Sequence, residues 1–147
     1  MKLSIPIIAV LASVLTTAAS AQHVEPYEQL PFSSIVRLET CGAWRSNGHA
    51  GKFRFMVAEL YGQDMLFVDM VRPNVRQTQL VVERGYTFME FNNDHAETTF
   101  SSLRCRQLGA NKIEIRGKDA YLDEKARSFR LVIDAASTGY KLTHSDR

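Results

Sequence analysis

From Ile35 onward, stretches rich in Val, Ile, Phe, Tyr and Thr recur every 8 to 15 residues, separated by clusters of Gly, Asn, Asp or Pro. Short segments of this composition are strands, and this spacing belongs to antiparallel all-β folds. Candidate strands cover 34–45, 52–61, 64–72, 77–84, 86–91, 97–106, 111–116, 129–134 and 139–144. The expected fold is a single-domain antiparallel β-barrel or β-sandwich of about eight strands. Only the stretch near 119–127 has a helical pattern, with Asp119 as N-cap and Tyr121, Leu122 and Ala126 near helical spacing, so one short helix is expected there.

The chain has two cysteines, Cys41 and Cys105, in the first and sixth candidate strands. They lack the C-x-x-C spacing of metal or redox motifs, and an even count in an exported chain reads as a disulfide. Such a bond closes a loop of about 65 residues and stabilises the fold by on the order of 4 kcal/mol through the unfolded state.

Export is expected from the N-terminus. Lys2 precedes an apolar run from Ile5 to Leu15, and Ala19-Ser20-Ala21 has the small-x-small pattern of a cleavage site. The run is shorter than the 20 or so apolar residues of a membrane helix, and no Cys follows it for lipid attachment. The expected organisation is a signal peptide over 1–21, an extended lead-in over 22–33 and one β domain over 34–147. The product would be soluble, periplasmic or secreted after cleavage near Ala21. Without Lys2 the 126 remaining residues carry a net charge of +1, too balanced for a nucleic-acid binder, so recognition must come from local shape and local charge. Membrane insertion as an outer-membrane barrel is not expected either, because charged stretches such as Arg104 to Arg106 and Lys112 to Arg116 do not suit a lipid-facing band.

The hairpin formed by 52–61 and 64–72 reads most clearly. A two-residue turn at Gly62-Gln63 would place Phe55 against Met70 and Val57 against Val68. One face then carries Phe53, Phe55, Val57, Leu66, Val68 and Met70 as core. The other carries Met56, Ala58, Leu60, Met65, Phe67 and Val71, with Lys52, Arg54 and Asp69 as its charged members, and Arg54 within reach of Asp69. An antiparallel sheet with two apolar faces needs a cover on the second, from its own chain, a ligand or a partner. Met56, Leu60, Met65, Phe67, Arg54 and Asp69 form the candidate binding patch.

No G-x-S-x-G, H-E-x-x-H, P-loop or S-x-x-K pattern occurs, so no catalytic residue and no cofactor is expected. The polar cluster Asn92-Asn93-Asp94-His95-Ala96-Glu97 reads as a turn rather than a metal site. In outline, a small exported β protein with one disulfide resembles the periplasmic inhibitors of lysozyme, a likeness of architecture that implies an inhibitor-like binding role. The expected function is therefore a protein-interaction or inhibitor-like module of the bacterial envelope, with an unknown protein as partner. The alternative is a carrier holding a small apolar ligand in a barrel cavity.

Overall fold

A computed structural model describes residues 34–60, 62–92, 97–122 and 124–145. The segments expected to be signal peptide and lead-in lie outside them. Eight strands follow in order: β1 (Ile35–Ser46), β2 (His49–Leu60), β3 (Gln63–Pro73), β4 (Leu80–Thr87), β5 (Thr98–Gly109), β6 (Lys112–Tyr121), β7 (Arg127–Asp134) and β8 (Tyr140–Ser145). They form two antiparallel meanders, a first sheet β1-β2-β3-β4 and a second β5-β6-β7-β8. The architecture is a β-sandwich, not a barrel.

The sheets meet through the inward side chains of their central strands. Phe53, Phe55, Val57, Leu66, Val68 and Met70 of the first sheet join Ile113, Ile115, Phe129, Leu131 and Ile133 of the second in one buried cluster. Alternation at period two sends these residues inward and their sequence neighbours outward. Cys41 and Cys105 are bonded, with Cα atoms 6.0 Å apart, and tie edge strand β1 to edge strand β5. Beside Cys41, Gly42 has φ +69°, and a Cβ there would lie 2.7 Å from Ile113 Cγ2. Glycine thus permits both the bulge and the close approach of the sheets.

Three local expectations are corrected. Leu60 pairs with Gln63, so the hairpin connection is 61–62 and not 62–63, and Phe55 faces Val68 instead of Met70. Gly62, with φ +79°, takes the second central turn position, which needs that conformation. The register moves by two, which leaves every side chain on its expected face. No helix forms near 119–127: Asp119 is buried within β6 and bonded across the hairpin to Arg127 (2.9 Å), a partner that a helix cap would forgo. The strand expected over 86–91 ends at Thr87, after which Phe88 and Phe91 turn into the core while Phe91 and Asn92 amides donate to the Phe88 carbonyl.

Candidate functional site

On the outer face of the first sheet, β2 and β3 present the apolar set expected from the hairpin. Met56 is 1% exposed and Met65 7%, Ala58 and Val71 are buried, and Leu60 and Phe67 are half-buried. None belongs to the cluster between the sheets. Arg54 stands directly opposite Asp69 and donates to its Oδ2 at 2.9 Å, with both side chains largely withdrawn from solvent. Burial raises the Asp69 pKa above its ordinary value, and the Arg54 hydrogen bond and charge only partly offset it. Gln63, also on this face, is buried, and neither polar atom of its amide has a hydrogen-bond partner. This face is brought together as expected, and most of its residues are withdrawn from solvent.

The outer face of the second sheet has the opposite character. Side chains alternating with the core residues of β5, β6 and β7 include Arg104, Arg106, Lys112, Glu114, Arg116, Lys118 and Arg130, and β8 adds Lys141. Residues 98–145 contain nine Lys and Arg against five Asp and Glu, a local excess of four positive charges in a chain whose net charge is only +2.

At the centre lies Glu114, whose side chain is 0% exposed although it points away from the core. Arg106 Nε donates to Oε1 at 2.7 Å, Arg116 Nε lies 2.8 Å from the same oxygen, and Arg130 Nε donates to Oε2. Burial opposes ionisation of this carboxyl. The hydrogen bonds from Arg106, Arg130 and Arg116 overcome that opposition and hold its pKa down at about 2. The guanidiniums are fixed in turn, each remaining substantially exposed at 62%, 59% and 42% for Arg106, Arg116 and Arg130. Arg106 and Arg130 engage Glu114 through Nε, which leaves their Nη donors available for further acceptors.

The register places Arg104, Arg116 and Arg130 side by side across three strands, followed by Thr143 on β8. Like charges directly opposite on a sheet destabilise it, and Glu114 compensates two of the three. Among the described residues, Arg104, Lys118 and Lys141 have no acidic partner. Next to the row, Arg116, Lys118, Ser128, Arg130, Thr143 and Ser145 line an open groove of about 480 Å³. At its margin His144 Nε2 lies 3.3 Å from Asp119 Oδ1, and Asp119 Oδ2 accepts from Arg127.

The sequence reading missed this face because its members lie on three strands and meet only through register. A usable signal was present in β6, where Lys112, Glu114, Arg116 and Lys118 alternate with apolar or small residues. Of the 92–97 cluster, expected to be a turn, 93–96 lie outside the described residues. Asn92 acts as a bracket, its amide donating to the Leu66 carbonyl and Thr87 while its oxygen accepts from Leu66 N–H. No group of three potential metal ligands occurs among the described residues. Comparison with models of known families, with curated proteins and with solved structures found no match to this chain.

Proposed function

We propose that this chain is an exported, disulfide-linked binding module that receives an anionic partner on the outer face of β5–β8. The observation that carries this reading is the set of three arginines fixed by one buried carboxylate on an exposed sheet. A lone surface arginine must be ordered when it binds, at a cost in side-chain entropy. Guanidiniums already held by Glu114 avoid much of that cost, which is the advantage of preorganisation. The cluster keeps a net positive charge after Glu114 is counted, and exposed arginines favour bidentate contact with carboxylate, sulfate or phosphate groups.

The carrier alternative needs empty apolar space between the sheets. That space holds a continuous cluster of buried side chains, including Phe53, Phe55, Phe88, Phe91, Ile113 and Leu131, which favours the binding-module reading. The N-terminal pattern of Lys2, the apolar run and Ala19-Ser20-Ala21 supports export, and a single structural disulfide suits an oxidising compartment.

The test is binding of the purified protein to immobilised polyanions over a salt series. Retention should fall as salt rises and should drop for Arg106→Gln/Arg130→Gln. Retention unchanged by that double substitution would remove the basis of the reading. Export is tested separately, by N-terminal sequencing of the protein from fractionated cells, with Gln22 expected as the first residue.

A further inference from the structure

We infer that the anionic partner is a linear saccharide bearing sulfate or phosphate esters, and that Arg116, Lys118 and Arg130 hold its ester groups in the groove over β6, β7 and β8. This deepens the anionic-partner reading and rests on it.

The argument turns on what surrounds the charge. The groove is lined by cations together with the hydroxyls of Ser102, Ser128, Thr143 and Ser145. Its aromatic members are Phe129, only 3% exposed and part of the core, and the single imidazole of His144, whose Nε2 lies 3.3 Å from Asp119 Oδ1. A single-stranded nucleic acid is held by aromatic platforms on which bases stack. A protein partner is anchored by buried aromatic or aliphatic contacts at the centre of its interface. A membrane surface is entered by apolar side chains beside the basic ones. On the outward face over β6–β8 the apolar members are half-buried Ala120 and Val132, too small a set for any of these three modes. Guanidinium, ammonium and hydroxyl donors together match an ester-bearing sugar, whose oxyanions accept charge-assisted hydrogen bonds and whose hydroxyls pair with serine and threonine.

The row geometry points the same way. Arg104, Arg116 and Arg130 occupy paired positions on adjacent strands, so their backbones are spaced about 4.8 Å apart. A ligand lying across the strands meets cations in series, as a chain with repeated ester groups requires. Lys118, one register step along, faces Ser128 and then Ser145, which gives a parallel row of one cation and two hydroxyls.

The test is calorimetric titration with a heparin-derived hexasaccharide and a phosphorylated oligomannoside, against the fully desulfated hexasaccharide, hexaglutamate, a thymidine hexanucleotide and phosphatidylglycerol vesicles. The expected result is binding of at least one ester-bearing saccharide about tenfold or more tighter than any other probe, the scale of one charge-assisted hydrogen bond. Which of the two binds distinguishes sulfate from phosphate. Arg116→Gln and Arg130→Gln should each weaken binding by about tenfold. Lys118→Ser and Arg104→Ser, which leave Glu114 and its partners in place, should weaken it while the melting curve stays unchanged. Arg72→Gln, which breaks an ion pair with Glu83 on the first sheet, should have no effect. Equal or tighter binding of hexaglutamate, the hexanucleotide or the vesicles would overturn the saccharide assignment and leave the anionic-partner reading standing. No binding of any probe would overturn both.

Discussion

The two sheets of this sandwich carry a carboxylate in the same kind of place, outward from a central strand, and treat it in opposite ways. Asp69 shares its face with Met56, Phe67 and Val71 and is paired with one arginine, and burial lifts its pKa. Glu114 lies among three arginines, and its pKa is held at about 2. Both are buried, so burial alone does not set the direction of the shift; three guanidiniums outweigh it at Glu114, and one does not at Asp69. The first face holds its ion pair inside a largely buried apolar layer. The second uses its carboxylate to hold an array of cations in the open. The first face is largely buried, whereas the second presents its guanidiniums to solvent, as the proposed binding role requires.

Several substitutions break or sharpen this contrast. The largest effect lies outside both faces: Cys41→Ser removes the tie between β1 and β5 and is expected to cost about 4 kcal/mol in chemical denaturation. Thiol labelling of the native protein should find no free cysteine. Next is Met56→Ser, which empties a 1% exposed site and buries a hydroxyl, for a loss of about 3 kcal/mol. Phe67→Ser, at a half-buried site of the same face, should cost about 2 kcal/mol. An unchanged melt for both would mean that the first face contributes nothing to folding, and the contrast would collapse.

On the second sheet, Glu114→Gln leaves Arg106, Arg116 and Arg130 facing one another without their carboxylate. A loss of about 3 kcal/mol is expected, at the low end for a broken buried pair because the arginines are exposed. Arg104→Ser should lie within about 0.5 kcal/mol of the parent, or gain slightly from relief of like-charge repulsion with Arg116.

The pH dependence separates the faces by sign. Glu114 titrates lower when folded than its ordinary 4.5, so its contribution is complete above pH 4.5 and is lost as pH falls through about 2. Asp69 is displaced upward from 3.8, so its ionisation costs stability. That cost disappears as pH falls through its folded value towards 3.8. Denaturation free energies measured from pH 7 to 2 should show Asp69→Asn flattening the mildly acidic part of the curve and Glu114→Gln flattening the most acidic part.

The fold was largely legible in the sequence because alternation is local. Phe53-x-Phe55-x-Val57 and Leu66-x-Val68-x-Met70 assign faces without knowledge of any partner strand, and that assignment survives the two-residue change in register. The disulfide was legible for a simpler reason, as two cysteines allow one pairing. The cationic face was not, because Arg104 and Arg130 are 26 positions apart and Arg116 joins them only once two hairpin registers are set. Net charge concealed it further, since acidic residues elsewhere balance the total. The 119–127 stretch misled because Asp119 has the side chain of a helix cap, whereas its partner, Arg127, lies across a hairpin.

The most direct test of which face is open is an amide NMR titration of the purified protein with the sulfated hexasaccharide, with hexaglutamate in parallel. Perturbations from at least one of the two should be confined to the outward residues of β5–β8, centred on Arg116, Lys118 and Arg130, with β2 and β3 unmoved. Perturbations centred on Met56, Met65 and Phe67, or none on the second sheet with either probe, would contradict the account.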